Sequence, residues 1–224
     1  MTDFARQLHI EPGLTALIGG GGKTSLMYRL AQELQQRGRV ICCTSTRIFP
    51  PDHLPLSAGE DPEEIRALLA RRSVICLGRE AEQGKLAAPG LAFETLLQLA
   101  DFVLVEADGS ARLPAKAHLS HEPVIPAESR DVICVLGASA FGKPLRNCVH
   151  RFEQAAKLLQ VEEDTIFTPE LAAKLLQAEG LGGKIFVNQL DDETQLPLAE
   201  RLAACLDLPV WAGSVQKGWI RCLH

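Results

Sequence analysis

Leu14-Thr15-Ala16-Leu17-Ile18-Gly19-Gly20-Gly21-Gly22-Lys23-Thr24-Ser25 decides how this chain is read. A short apolar run enters four consecutive glycines, and Lys-Thr-Ser then opens an amphipathic segment with Leu26, Leu30 and Leu34 on one face. The pattern predicts a buried strand over 14–18, a turn without side chains, and a helix over 23–37 closed by Gly38. Glycines let backbone N–H groups crowd around an anion, and the helix start adds unpaired donors and the positive end of its dipole. A bare turn needs only one or two glycines, so four in a row point to a phosphate cradle. In that reading Gly19, Gly20, Gly21, Gly22 and Ser25 supply backbone donors, Lys23 a charge for the β- and γ-phosphates, and Thr24 a hydroxyl for Mg²⁺. The spelling is not the long G-x-x-x-x-G-K-[ST] form, which asks for glycine where Leu17 stands. The shorter G-G-x-G-K-[ST] form fits through Gly19, Gly20, Gly22, Lys23 and Thr24.

A second place carries chemistry. Phe102-Val103-Leu104-Val105 delivers Glu106, Asp108 and Gly109 at a strand's end. In a nucleotide-hydrolysing site an acid at that position anchors Mg²⁺ or orients the attacking water. Glu106 and Asp108 lie two residues apart, so they share a face while the chain stays extended. Lys23, Glu106 and Asp108 are therefore the candidate catalytic residues, and Thr24 with Asp108 the candidate metal ligands.

Two further strand ends join them, because ligands of open α/β sheets gather at the carboxyl ends of the strands. Arg39-Val40-Ile41-Cys42-Cys43 ends in Thr44, Thr46 and Arg47, which adds them to the pocket candidates. Lys184-Ile185-Phe186-Val187-Asn188-Gln189-Leu190-Asp191 ends in Asn-Gln-x-Asp where guanine-specific enzymes carry Asn-Lys-x-Asp, so Asn188 and Asp191 are candidate base contacts. Gln189 in place of the lysine leaves ATP and GTP both open. The stretch 109–130 has little periodicity and three prolines, Pro114, Pro123 and Pro126, and is expected to border the site.

Between these places helices are predicted over 62–72, 91–100 and 193–206, strands over 74–78 and 132–137, a hairpin-like excursion around 84–90, and a helix starting at Thr168-Pro169. Residues 2–9 read as a short helix or lead-in, and 52–62 as a loop. Strands and helices alternate with crossovers of βαβ length. The expected fold is an α/β doubly wound, mainly parallel sheet in a three-layer sandwich, forming a single domain over 1–224 with the nucleotide at its carboxyl edge.

Composition bounds the partners. The 224 residues are 46% hydrophobic and 23% charged with a net charge of −5, which argues against a broad nucleic-acid surface. No apolar run approaches the ~20 residues of a membrane span, and no secretory pattern opens the chain, so a cytoplasmic location is expected. Seven cysteines, an odd number without C-x-x-C, read as reduced and mostly buried thiols. His118, His121, Cys148 and His150 match no compact zinc spacing.

Gly19 to Ser25, Thr44-Ser45-Thr46, Val105-Glu106-Ala107-Asp108-Gly109-Ser110, His121-Glu122-Pro123-Val124-Ile125-Pro126 and His150-Arg151 together resemble the YqeC-type proteins. These are accessory factors for selenium-dependent molybdenum hydroxylases. The resemblance runs from about residue 10 to the C-terminus. It implies a P-loop NTPase-like protein that takes Mg²⁺ with ATP or GTP, acts with a molybdenum hydroxylase or its cofactor-maturation proteins, and binds neither nucleic acid nor membrane. It carries roles onto Lys23, Thr24, Glu106 and Asp108, and adds His121, Glu122 and Arg151 to the pocket candidates. Two other readings stand beside hydrolysis. One is a non-catalytic nucleotide switch or scaffold for a partner. The other is an NADP-binding protein with Arg47 facing a 2′-phosphate, although no Asp or Glu ends the second strand.

Overall fold

The computed structural model describes residues 3–51 and 54–224. A one-turn helix, α1 (Phe4–Gln7), is capped by the Asp3 carboxylate, which accepts from the Arg6 N–H. Strand β1 (Gly13–Gly19) runs through the glycine turn into α2 (Lys23–Leu34), and β2 (Val40–Thr44), β3 (Arg47–Ile48) and β4 (Leu56–Ser57) follow. Then come α3 (Pro62–Arg71), β5 (Val74–Leu77), β6 (Arg79–Ala81), β7 (Lys85–Ala87), α4 (Phe93–Leu99) and β8 (Phe102–Glu106). The second half holds β9 (Ala115–Lys116), β10 (Ser129–Gly137), α5 (Leu145–Cys148), β11 (Val149–His150), α6 (Phe152–Leu159) and α7 (Pro169–Glu179). It ends with β12 (Lys184–Asn188), α8 (Leu196–Ala203), β13 (Val210–Ser214) and β14 (Trp219–Cys222). The lead-in over 2–9 and the loop over 52–62 include Thr2, Asp52 and His53, which lie outside the described residues.

Nine strands form one sheet in the order β14-β13-β12-β10-β1-β8-β2-β5-β4, parallel throughout except for β14. Its alternating side chains feed two separate cores. From β1, β2, β8 and β10, the residues Ala16, Ile41, Val103 and Cys134 face one core, packed under α3, α4, α7 and α8. Leu17, Cys42, Leu104 and Val135 face the other, under α1 and α2. This is the three-layer, doubly wound α/β arrangement that the alternation predicts.

Strand β1 lies inside the sheet, and β8, later in the chain, is inserted between β1 and β2. Strands from residues 40–106 lie on one side, and those from 129–222 on the other. The switch point therefore falls beside β1, where an open α/β sheet leaves a crevice at its carboxyl edge. Register brings the strand ends together there: Gly19 pairs with Val135, Leu17 with Glu106, Thr44 with Glu106, and Gly137 with Asn188.

Several boundaries differ from the sequence reading. Helix α2 stops at Leu34, and Gly38 is not its cap. A Cβ on Gly38 would sit 2.5 Å from Oδ2 of Asp101, the atom that accepts from the Arg39 N–H. The glycine is there for that close approach. The excursion near 84–90 is a three-stranded antiparallel sheet of β3, β7 and β6. The antiparallel edge strand β14 had no place in the sequence reading, because Trp219-Ile220-Arg221-Cys222 is too short to show a period. Among the described residues no helix is long and apolar enough to cross a membrane.

Candidate functional site

The glycine turn leaves β1 at Gly19 with φ of 91°, passes Gly21 at 75° and reaches Gly22 at 113°, a path that side-chain-bearing residues rarely take. Packing also demands glycine here. A Cβ on Gly21 would lie 2.2 Å from the Gly137 nitrogen, and one on Gly20 would lie 2.7 Å from the Leu113 oxygen. Gly22 caps α2 without a side chain, so the first-turn N–H groups of that helix have no intrahelical acceptor.

Lys23, the first helical residue, is buried. Its ammonium donates to the Gly19 oxygen at 2.6 Å and stands 3.0 Å from Oδ1 of Asp108 and 3.7 Å from Oε1 of Glu106. Thr24 donates its hydroxyl to Oε2 of Glu106 at 2.6 Å. Burial pushes the Glu106 carboxyl above its ordinary value, against the opposing pull of Lys23 and Thr24. Thr44 fixes the same strand end by donating to the Glu106 oxygen at 2.7 Å, and its hydroxyl accepts from the Thr46 N–H at 3.0 Å.

Asp108 is fully buried, and its surroundings explain how an interior carboxylate is tolerated. Oδ2 accepts from the Gly19 N–H at 2.8 Å and meets Nε2 of His118 at 2.7 Å, with the Lys116 ammonium 3.7 Å away. Burial alone would raise its pKa. The His118 hydrogen bond, Lys23, Lys116 and the Gly19 amide together outweigh it and hold the carboxyl below the usual aspartate range.

The His118 ring is gripped from both sides, because Nδ1 lies 3.0 Å from Oε2 of Glu179. Two carboxylate acceptors on one imidazole call for a proton on each nitrogen. Burial would favour the neutral ring, but the bonds to Asp108 and Glu179 prevail and raise its pKa.

A second knot adjoins the first. Lys116 donates to the Gly109 oxygen at 2.6 Å and pairs with Glu122 at 3.1 Å. The Arg151 guanidinium grips the same carboxylate with both prongs, at 3.0 and 3.1 Å. Burial would raise the Glu122 carboxyl, but Arg151 and Lys116 bring it below its ordinary value.

The structure thus brings Lys23, Thr24, Glu106, Asp108, Thr44 and Thr46 to one strand edge, with Glu122 and Arg151 linked in through Lys116. Among the described residues, the other candidate side chains make no hydrogen bond or ion pair with this cluster's side chains. Arg47 is exposed and faces Glu82 at 3.9 Å. His121 and Ser25 are exposed. Asn188 is buried and braces the turn, donating to the Gly21 oxygen at 2.8 Å and accepting from the Val215 N–H at 3.0 Å. Asp191 accepts from Ser214 at 2.7 Å beside it. The hydroxyl of Thr24 is turned to Glu106, while Asp108 is occupied by His118, Gly19 and the two lysines. Among the described residues no group of three or more His, Cys, Asp or Glu side chains is arranged to hold a metal ion.

A family model described as YqeC protein matches residues 15–153. The chain belongs to the YqeC family. Over 179 residues it is 36% identical to the uncharacterized protein YqeC of Escherichia coli (strain K12), covering 76% of this chain and 70% of that protein. The part matched by the YqeC model contains the glycine turn, Glu106, Asp108, His118 and Arg151, while Glu179, Asn188 and Asp191 lie beyond it. Among solved structures the chain is similar to the signal recognition particle 54 kDa protein of Aeropyrum pernix K1 in complex with GDP. The TM-score is 0.44 at 15% identity, and the match covers 95% of this chain but only 44% of that one.

Three members of the charged cluster, Lys116, His118 and Glu179, have no role assigned from the sequence. Glu179 closes α7 and is 61 residues from His118, so only the packing of that helix makes the pair.

Proposed function

We propose that this member of the YqeC family binds the phosphates of ATP or GTP, with Mg²⁺, at the Gly19–Ser25 turn and hydrolyses the nucleotide. The observation that carries this reading is the convergence of Lys23, Thr24 and Glu106 on the N-terminal turn of α2, with backbone donors beside them. Lys23 and the first amides of α2 hold the phosphate charge. In this reading Glu106 orients a water toward the terminal phosphate.

The donor set suits a hard cation, because the Thr24 hydroxyl and the Glu106 carboxylate present adjacent oxygens. When bound there, Mg²⁺ neutralises charge on the phosphate oxygens. Thr24 and Glu106 are the residues that would hold it. In Asp108, Oδ2 is committed to His118 and Gly19, while Oδ1 has no hydrogen-bond partner among the described residues and faces the Lys23 ammonium at 3.0 Å, so its proposed role is to position Lys23. Asn188 and Asp191 are the proposed base contacts, beside the turn through the Asn188 bond to Gly21.

In the proposed cellular role, this single nucleotide-binding domain is a cytoplasmic accessory or maturation factor for selenium-dependent molybdenum hydroxylases. A non-catalytic switch is the second reading, and both readings ask the same of the turn, where the Gly20 and Gly21 amides already donate within the protein, to Val135 and Leu113. The NADP reading loses its support, since Arg47 points to Glu82. Phosphate release with Mg-ATP and Mg-GTP separates the two nucleotide readings. Turnover that Glu106→Gln removes supports the hydrolase, and tight binding without turnover, alone or with a hydroxylase present, supports the switch.

A further inference from the structure

Between Asp108 and His118 the chain loops over the glycine turn. Gly109 and Lys116 close this loop at its root through the bond from the lysine ammonium to the Gly109 oxygen at 2.6 Å. Its tip, Ala111-Arg112, is exposed, and both residues have positive φ, 49° and 62°, a left-handed conformation that costs residues carrying a Cβ. The next residues sit on the cradle. The Leu113 oxygen accepts from the Gly21 N–H at 3.2 Å, and the Pro114 oxygen accepts from the Gly137 N–H at 2.7 Å. Lys23 is folded back onto Gly19 and Asp108.

We propose that residues 109–114, which lead into β9, form a latch that covers the glycine turn in the free protein and is displaced from Gly21 when nucleotide enters. The proposal rests on the nucleotide reading above. A backbone N–H donates to one strong acceptor at a time, so Leu113 and a phosphate oxygen compete for Gly21. The competing bond lies at the long end of the hydrogen-bond range, and two left-handed residues load the latch against staying closed. Release also frees the Gly109 end of Lys116, which links the cradle to Glu122 and Arg151. Nucleotide occupancy is thereby reported at the outer face of the protein.

Hydrogen exchange of the full chain tests the latch, read on the peptide spanning 109–117 with and without Mg-ATPγS or Mg-GTPγS. Binding is followed in parallel by calorimetry. The latch predicts at least several-fold faster exchange in that peptide on binding, and roughly 3- to 10-fold weaker affinity for Ala111→Gly, because glycine relaxes the closed backbone. Nucleotide binding with unchanged exchange and unchanged Ala111→Gly affinity overturns the latch and leaves the nucleotide reading intact. If the wild-type chain takes up no nucleotide, Pro114→Gly, which loosens the segment, decides. Uptake by that variant alone supports the latch, and uptake by neither overturns latch and nucleotide reading together.

Discussion

The Thr24 hydroxyl donates to Oε2 of Glu106 across 2.6 Å, joining the first turn of α2 to the last residue of β8. The contact exists because β1 and β8 are neighbours in register, with Leu17 opposite Glu106. The strand that delivers the glycine turn therefore also carries its helix to the carboxylate. Burial raises the Glu106 carboxyl, so this site holds its negative charge against a cost that Lys23 and Thr24 offset.

Glu106→Gln separates folding from chemistry. The amide oxygen still accepts from Thr24, and the charge that burial disfavours is gone. Stability without nucleotide should stay within about 1 kcal/mol of wild type, measured by urea unfolding. Phosphate release should fall on the order of 10²-fold or more if Glu106 orients the water. An active variant would remove that role.

Acid-base linkage through the buried cluster has a definite sign. Asp108 has a depressed pKa, so its stabilisation is present above about 3.9 and is lost as pH falls through the folded value. His118 has a raised pKa, so its stabilisation is complete below about 6.5 and is lost as pH rises through the folded value. Raised Glu106 loses its contribution as pH climbs from about 4.3 through its folded value, because folding favours its protonated form. His118→Gln should therefore be clearly less stable than wild type at pH 6, by about 3 kcal/mol, with the gap closing toward pH 9. Urea midpoints across that range check it, and a gap that is constant or widens contradicts the assignment.

Arg151→Lys tests the fork on Glu122. Lysine keeps the charge but cannot make the two-pronged bond seen at 3.0 and 3.1 Å. The loss should be about 1–2 kcal/mol. In a double-mutant cycle with Glu122→Gln the two changes should couple by on the order of 1 kcal/mol. Independent, additive effects would mean the fork contributes nothing.

The sheet was readable because short, continuous apolar runs such as Val40–Cys43 and Phe102–Val105, bounded by glycine or polar residues, fit strands buried on both faces. Thr168 and Pro169 likewise announced α7, and the Thr168 hydroxyl accepts from the Leu171 N–H at 3.2 Å. Strand ends then listed most of the carboxyl-edge residues, because topology sends every parallel strand to the same edge. Side-chain direction was not readable. Arg47 follows the second strand as closely as Thr46 does, yet β3 joins β7 and carries it outward. Neither could the pairing of Asp108 with His118 and Glu179 be read, since it depends on where α7 packs. Gln189, in the place of a lysine, adopts φ of 65° and accepts from Ser139 at 2.6 Å, a contact that no spacing rule anticipates.

Calorimetric titration of wild-type chain and Lys23→Ala with Mg-ATPγS and Mg-GTPγS, after circular dichroism has shown both folded, bears directly on whether the Gly19–Ser25 turn holds nucleotide phosphates. Wild type should bind at least one of the two with saturable heat, and Lys23→Ala should lose that binding by on the order of 10²-fold, the loss of a desolvated charge contact to phosphate. Equal affinity in the two proteins would contradict the assignment.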